Sequence, residues 1–476
     1  LDGRVQADYH ASGLQFLQHA GLHHEAAAAG DERAFGRVAM IDEVALHRPK
    51  GRLALLRKDV GDRFSLNAFD LVIAVEQLKT DLLGDRAPHR GFAGAHETNE
   101  VEVDVGWVHY VRSQPNRAPG TLPNLKMPMT AAPNYAFASD NTAGICPEAL
   151  AALAEANAGR VPRYGDDFVT ARAKRAFADL FETECEVFFV FNGTAANSLA
   201  LAALCERHHA VICHELAHIE TDECSAPEFF TGGSKLLPVA GVDAKLVPEA
   251  IEPVLHRGHG VHFPKISALS LTQATELGSV YSPDELAALT TFARRHGLAV
   301  HVDGARFANA VAALGERGIT PADLTWRADV DVLCFGGTKN GLLTSEAVVF
   351  FNRELAREFD YRVKQSGQLA SKQRFASAQW AAVLRDGAWL RHAAHANRQA
   401  QALSVGLQAL GFRAVAPTQA NGVFVEMPPR VYQRLAAKGW QFYRFLGEHG
   451  YRLMCSWETQ DAEIAAFLAD AQAALR

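Results

Sequence analysis

Residues 330–340 read VDVLCFGGTKN, an apolar run of strand length that is followed at once by two glycines, a threonine and a lysine. Residues 298–306 read LAVHVDGAR and show the same order, with an aspartate and a glycine closing the apolar run. Short apolar runs bounded by turn residues are typical of strands that are buried on both faces, as in a parallel sheet. Both stretches therefore predict buried strands, at Val330–Phe335 and Leu298–Val302, whose carboxyl ends carry polar side chains.

From residue 135 onward, such runs alternate with amphipathic stretches of helical length. Further strands are predicted at Val187–Phe191, Ala210–Cys213 and Ile266–Leu271, and a helix is predicted at Ala195–Cys205. Strands that alternate with helices indicate an α/β protein with a mostly parallel central sheet and helices on both faces. Open sheets of this kind bind their ligands at the carboxyl ends of the strands.

The composition argues against several classes of function. The chain has 476 residues, of which 48% are hydrophobic and 21% are charged, and its net charge is -7. This mild acidity argues against a nucleic-acid partner, which calls for a basic surface. No apolar run is long enough to span a membrane, so we expect no membrane association. Seven cysteines without a C-x-x-C pair indicate a reduced compartment, and we expect a cytoplasmic protein.

The first part of the chain differs from the rest. Residues 1–126 show little sustained hydrophobic periodicity. Residues 114–134 contain five prolines, which is typical of a linker. We therefore expect residues 1–126 to be an extension that is poorly ordered or not part of the native enzyme. A small helical regulatory domain is the alternative.

Three polar turns follow predicted strands and together favour one cofactor. Asp303 and Lys339 follow the apolar runs of the two stretches quoted above, and Gly193 and Thr194 lie between the strand at Val187–Phe191 and the predicted helix at Ala195–Cys205. Pyridoxal 5′-phosphate (PLP) needs a lysine for its Schiff base, a carboxylate beside its pyridine nitrogen and backbone amides for its phosphate. Each of these turns is common alone, but the ordered set is specific and predicts a PLP site.

At these motifs the chain resembles the threonine aldolase and β-eliminating lyase family of fold-type I PLP enzymes, and within it the bacterial low-specificity L-threonine aldolases and phenylserine aldolases. The resemblance covers about residues 135–476. It rests on five motifs: Ser139-Asp140-Asn141, Arg163-Tyr164-Gly165-Asp166-Asp167, Asn192–Asn197, Asp303-Gly304-Ala305-Arg306 and Gly336-Gly337-Thr338-Lys339.

The resemblance implies an architecture and an activity. The fold would be that of the PLP-dependent transferases, with a large PLP-binding domain and N-terminal arm at 127–375 and a smaller α+β domain at 376–476. Such an enzyme cleaves L-threonine, L-allo-threonine or phenylserine-like substrates into glycine and an aldehyde. A homotetramer or homodimer with shared active sites is also implied. In it, Lys364, Lys372 and Arg374 would be candidates to reach a neighbouring subunit's phosphate.

The resemblance also implies roles for single residues. Lys339 would form the Schiff base, and Asp303 would pair with the pyridine nitrogen. The remaining roles concern contacts to the cofactor and to the substrate. Cofactor contacts are implied for Gly193, Thr194, Asn197, His218, whose ring would stack on the cofactor, and Arg306. The substrate carboxylate would be bound by Ser139, Arg306 and Arg452, because a guanidinium can hold a carboxylate through two parallel hydrogen bonds.

One position departs from the family pattern and leaves the general base open. Many members carry Thr-His-Asn where this chain reads Thr275-Glu276-Leu277, so Glu276 replaces a histidine. We expect His218 to accept the proton of the β-hydroxyl group, with Glu276 as the second candidate. No metal is expected in this chemistry.

Three other readings of the sequence remain. The first is another PLP enzyme, either a lyase that eliminates a β-substituent or an aminotransferase, which would release a keto acid. The second is a PLP-type fold that has lost catalysis and serves as a binding module, against which an intact Lys339 argues. The third is a zinc metalloprotease, because His214-Glu215-Leu216-Ala217-His218 fits the pattern H-E-x-x-H.

Overall fold

The computed structural model describes residues 132–476, so the predictions for residues 1–126 lie outside the described residues. The described part of the chain forms two sheets. Their strands, in chain order, are β1 (Glu186–Val190), β2 (His209–His214), β3 (Lys235–Val239), β4 (Lys265–Thr272), β5 (Ala299–Gly304), β6 (Val332–Phe335), β7 (Glu346–Phe350), β8 (Gly422–Glu426), β9 (Tyr443–Leu446) and β10 (Gly450–Met454).

Helices connect the strands of the larger sheet and flank those of the smaller one. In chain order they are α1 (Pro147–Ala156), α2 (Phe168–Phe181), α3 (Gly193–Leu204), α4 (His218–Thr221), α5 (Ala226–Thr231), α6 (Pro248–Leu255), α7 (Pro283–Arg295), α8 (Phe307–Gly315), α9 (Phe359–Gln365), α10 (Arg374–Arg385), α11 (Ala388–Ala409), α12 (Pro429–Ala437) and α13 (Asp461–Leu475). None of these helices combines the length and the apolar character that crossing a bilayer requires.

The larger sheet has the strand order β1-β7-β6-β5-β4-β2-β3. All neighbouring strands are parallel except that β7 runs antiparallel to both β1 and β6. The prediction of a mostly parallel sheet is confirmed, and each of the five predicted strands is present to within two residues at either end. At the carboxyl edge, Asp303 of β5 lies opposite Thr272 of β4 and Cys334 of β6.

Both faces of this sheet are buried, as the continuous apolar runs predict. All four residues of β6 are buried. Leu333 and Phe335 join the core on one face, which includes Phe177 of α2. Val332 and Cys334 join the core on the other face, against helix α3. Alternate residues of the same strand therefore anchor both layers of helices, which holds the strand ends in fixed positions.

The smaller sheet is antiparallel, with the order β8-β10-β9. Its strands pack with α11, α12 and α13 around a separate core that includes Val423, Leu453 and Phe467. Phe137, from the start of the described chain, also lies in this core. This region has the α+β character expected at the carboxyl-terminal end of the chain.

Side-chain caps set the starts of several helices near the sheet edge. The Asp167 carboxylate accepts a hydrogen bond of 2.8 Å from the Thr170 amide at the start of α2. The Asn192 side chain accepts one of 2.9 Å from the Ala195 amide at the start of α3. Such caps satisfy amides that have no partner within the helix. Helix α3 consequently begins immediately after strand β1 ends.

Candidate active site

Asp303 lies at the carboxyl end of β5, where both of its oxygen atoms are held. Oδ1 accepts a hydrogen bond of 2.9 Å from the amide of Ala305. Oδ2 accepts one of 2.8 Å from the side-chain nitrogen of Asn197, in helix α3. Asp303 and Asn197 are both buried. The carboxylate therefore has a fixed direction at the sheet edge, as a partner for a cationic ring nitrogen requires.

His218 begins helix α4 beside this carboxylate. Its Nδ1 atom lies 2.7 Å from Oε1 of Glu223, whose side chain is fully buried. The hydrogen bond with Glu223 raises the pKa of His218 above its ordinary value, although burial acts in the opposite direction. The charges of Asp303 and Lys339 also act on this pKa, the first raising it and the second lowering it. The imidazole thus lies within electrostatic reach of both residues that the PLP prediction depends on.

Lys339 lies in a short 3-10 turn, Thr338–Asn340, directly after β6. The buried carboxylate of Glu346 accepts a hydrogen bond of 2.6 Å from the Gly337 amide before the turn. After the turn, Gly341 has φ +99°, and a Cβ atom there would lie 2.9 Å from the Cβ of Cys146. Glycine is required there because a side chain would be strained and would collide. The turn that presents Lys339 is thus fixed on both sides.

Helix α3 offers free amides at its start. Asn192 satisfies two of the first four, because its side chain accepts from Ala195 and its carbonyl accepts from Ala196 at 3.1 Å. The amides of Gly193 and Thr194 make no hydrogen bond within the described residues. A Cβ atom added to Gly193 would meet nothing within 4 Å, so the space before the helix is open. Free amides at a helix start form an anion site suited to a phosphate.

Arg306 forms an ion pair with Asp140, near the start of the described chain. Its Nε and Nη2 atoms donate to the two oxygen atoms of Asp140 at 2.7 and 2.9 Å. Asn421 donates a further hydrogen bond of 3.0 Å to the same carboxylate. Burial alone would raise the pKa of Asp140, but the charges of Arg306 and Lys339 hold it below its ordinary value. One edge of the Arg306 guanidinium is therefore occupied by the protein, and Nη1 stays available for a ligand.

Arg452, on β10, carries a charge that no described residue neutralises directly. Its guanidinium lies over the ring of Phe445, 4.8 Å from the centroid. Its Nε atom is buried without a hydrogen-bond partner within the described residues. Burial, and then the positive charge of Arg306, lower the pKa of Arg452. Two guanidinium groups within electrostatic range of each other, of which only Arg306 is paired with the Asp140 carboxylate, can accommodate a second anion.

Glu276 lies in the loop after β4 and is half-buried. Its Oε1 atom accepts hydrogen bonds from the Thr272 hydroxyl at 2.8 Å and from the His218 amide at 3.1 Å. Its Oε2 atom has no partner within the described residues. Burial raises the pKa of Glu276 to about 7, and the charge of Asp303 adds to this effect. This carboxyl group can therefore hold or release a proton near neutral pH.

Replacing Glu276 with glutamine should change the pH dependence of stability. The pKa of Glu276 is about 7 in the fold against 4.5 for an ordinary glutamate. Glu276 therefore does not lower the free energy of unfolding below pH 4.5. As the pH rises from 4.5 towards 7, the free energy of unfolding decreases, by about 3 kcal/mol in all. Glutamine does not titrate, so we expect the variant to gain stability relative to the wild type across this interval.

Thermal unfolding at several pH values from about 5 to about 8 measures this difference. The exposed Glu249→Gln is the matched control and should parallel the wild type. A constant offset between the Glu276→Gln variant and the wild type at all pH values would contradict the raised pKa of Glu276.

The remaining predicted residues lie as follows. Ser139 caps a 3-10 turn, where its oxygen accepts a hydrogen bond of 3.1 Å from the Asn141 amide, next to Asp140. Lys364 is exposed and lies over the ring of Tyr164, 4.8 Å from the centroid. Lys372 is exposed, and Arg374 donates to the carbonyl of Gly159 at 3.4 Å. A single chain does not bring these three cationic groups to the cluster around Asp303.

The H-E-x-x-H motif does not form a zinc site. His214 ends strand β2, and its two ring nitrogens contact the Leu216 amide at 3.0 Å and the Gly241 carbonyl at 3.2 Å. His218 begins the separate helix α4, so the two histidines do not share one helix face as the protease motif requires. The metalloprotease interpretation is therefore wrong.

Three residues around the site, Asp140, Asn421 and Glu223, are not predicted from the sequence. The side chains of Asn421 and Asp140 are hydrogen-bonded although the two residues are 281 positions apart in the sequence. Those of Asn197 and Glu223 are hydrogen-bonded at a separation of 26 positions. Asp140 stands inside the motif Ser139-Asp140-Asn141, but no local pattern indicates that its carboxylate pairs with Arg306. Glu223 follows His218 by five positions in an acidic turn, and that spacing was the available clue.

Comparisons with known proteins agree with this geometry. The family of β-eliminating lyases matches residues 136–428. The chain is 56% identical over 340 residues to a low specificity L-threonine aldolase of Pseudomonas sp. (strain NCIMB 10558), covering 71% of this chain and 97% of that protein. It is similar to the structure of Leishmania major threonine aldolase, with a TM-score of 0.68 and 28% identity, covering 72% of this chain and all of that one.

The fold also extends to more distant PLP enzymes. A serine palmitoyltransferase from S. paucimobilis, solved with a bound PLP–myriocin aldimine, has a TM-score of 0.51 and 18% identity, over 72% of this chain and 86% of that one. The expected fold class, fold type I of the PLP enzymes, is confirmed. The resemblance inferred from the five motifs is confirmed as well: this chain belongs to the β-eliminating lyase family.

Proposed function

We propose that this protein is a PLP-dependent aldolase that cleaves L-threonine, L-allo-threonine or phenylserine-like β-hydroxy-α-amino acids into glycine and an aldehyde. The observation that carries the proposal is Arg452, a largely buried guanidinium without a directly bonded anion, in the same electrostatic cluster as Lys339. An α-carboxylate supplies that anion. The Pseudomonas relative bears the name of an aldolase of this kind.

The residues present fit PLP. Gly193 and Thr194 offer amides to a phosphate, and the fixed carboxylate of Asp303 suits a pyridinium nitrogen. Lys339 would bond to the cofactor aldehyde, and His218 would lie against the ring. When bound, PLP supplies the electron sink that makes bonds at the substrate Cα atom breakable.

The side chains then divide the remaining tasks. Arg452 and Nη1 of Arg306 would hold the substrate carboxylate, with Ser139 beside them. Fixing the carboxylate fixes which bond at Cα can break, because it sets the rotation of the substrate around that atom. The β-hydroxyl proton would pass to Nε2 of His218, with Oε2 of Glu276 as the second candidate. A base placed in this way contributes roughly 10²–10⁴-fold in rate.

The assay is direct. The purified holoenzyme is given L-threonine, L-allo-threonine and phenylserine in turn, and the glycine and aldehyde released are quantified. We expect equal amounts of the two products. Release of a keto acid instead would contradict the aldolase function and support a β-eliminating lyase or an aminotransferase, the alternatives within PLP chemistry.

Three further properties remain proposals. We propose domains at 127–375 and 376–476, supported by the core that the smaller sheet has of its own, although Trp380, Trp389 and Ala420 pack in the core of the larger sheet. We propose a homotetramer or homodimer, supported by large exposed apolar side chains such as Phe168 and Tyr361, 67% and 71% exposed. A cytoplasmic location is consistent with seven cysteines that are all free.

A further inference from the structure

Glu223 is a buried carboxylate that the chemistry above does not use. It follows helix α4, and its side chain is fully buried. Its Oε1 atom contacts Nδ1 of His218 at 2.7 Å and accepts a hydrogen bond from Asn197 at 2.9 Å. An ionised carboxylate accepts hydrogen bonds and donates none. In the neutral imidazole of His218, the one ring N–H hydrogen therefore lies on Nδ1, and Nε2 is the nitrogen that keeps a lone pair.

The Asn197 amide extends this contact to the sheet edge. Its nitrogen donates one hydrogen to Oε1 of Glu223 and the other to Oδ2 of Asp303, at 2.9 and 2.8 Å. Both hydrogens of the amide are therefore used, and two carboxylates fix its orientation. Asp303, Asn197, Glu223 and His218 form one continuous hydrogen-bonded chain, of which the His218 ring is the exposed end, 39% exposed.

We propose that Glu223 is a positioning residue for the proposed aldolase reaction: it holds the His218 hydrogen on Nδ1, leaves Nε2 as the proton acceptor, and ties the ring to Asp303 through Asn197. This inference rests on the proposed function, because it assigns a partner to the base of that reaction. It concerns a residue that makes no contact with the substrate and acts through the imidazole.

Other charged groups also face the imidazole, and they are weaker rivals for this role. Asp222 lies 3.8 Å from Nε2, but it is 84% exposed, so water screens its charge. Asp303 raises and Lys339 lowers the pKa of His218, and each effect is smaller than that of the hydrogen bond that Nδ1 donates to Glu223. Glu276 accepts from the His218 backbone amide and does not contact the ring through a described hydrogen bond.

The test is Glu223→Gln in the full-length holoenzyme. Glutamine keeps an oxygen that can accept both hydrogen bonds, but it removes the negative charge. We expect the pKa of His218 to fall by about 1 or more. The acid limb of the pH profile of kcat should move to lower pH with it. The pKa is read by NMR from histidine labelled with ¹³C at Cε1, and His218→Asn identifies the resonance.

Asp222→Asn is the matched control, because it removes an exposed carboxylate near the same ring. It should move the pKa of His218 less than Glu223→Gln does. An unchanged pKa in Glu223→Gln, or an equal change in the control, would overturn the inference. A purely structural role would lower stability and leave the pKa of His218 in place.

Glu223→Asp covers the case in which the glutamine variant does not fold. Aspartate keeps the negative charge, but its side chain is shorter by one methylene group, so its carboxylate lies farther from the His218 ring. We therefore expect kcat to fall about 10-fold with little change in KM. Wild-type kcat in this variant would contradict the inference. The NMR measurement needs no substrate, so a wild-type enzyme that releases no aldehyde would refute the proposed function and leave this test intact.

Discussion

Lys339→Ala should abolish turnover and the visible absorbance that the cofactor gains when it is bonded to a lysine. We expect kcat to fall by at least about 10³-fold, the scale on which enzymes lose activity with the group that forms their covalent intermediate. The charge of Lys339 acts on Asp140 and His218, which places it in the cluster that we propose to bind the substrate. Absorbance spectra and the aldehyde assay measure the two effects independently.

The variant should still fold, because the Lys339 side chain makes no hydrogen bond or ion pair within residues 132–476. Its turn is held by Gly337 and Gly341 instead. Lys265→Ala is the matched control, since Lys265 is exposed at the opposite, amino-terminal end of β4. A Lys339→Ala protein that keeps both the absorbance and the turnover would remove the basis of the proposed function.

The parts of the site that the sequence predicts are those encoded locally. Asp303, Lys339 and Gly193 each follow an apolar run within a few positions, so one window shows both the strand and the polar group that it presents. The sheet places the ends of those strands along one edge, as parallel topology requires. For these residues, a pattern in one short stretch was enough.

The parts that the sequence does not predict depend on contacts between distant positions. Asp140 and Arg306 are 166 positions apart, and no periodicity or turn signal links them. Two strands of the sheet, β3 and β7, are also not predicted, and for β3 the reason is local. Strand β3 is an edge strand interrupted by Pro238, and β7 runs against its neighbours. Proline is tolerated at a sheet edge but weakens the apolar pattern that marks a strand.

Arg452→Met is expected to weaken the binding of amino acids by at least about 30-fold, because losing one partner of a buried charge pair costs about 2 kcal/mol or more. Glycine, the proposed product, and methylamine, which lacks the carboxylate, separate this effect from general damage. Their Kd values follow from the change in cofactor absorbance on binding. Only the Kd of glycine should rise in the variant.

Arg452→Lys should lie between the wild type and the methionine variant. Lysine keeps the positive charge but loses the forked geometry and the flat contact with the Phe445 ring. Arg444→Met, on the neighbouring strand β9 with an exposed side chain, is the control and should bind glycine as the wild type does. Equal weakening of glycine and methylamine in Arg452→Met would show that this guanidinium does not bind the carboxylate. The anion that Arg452 and Arg306 bind in addition to Asp140 would then have to be something other than the substrate.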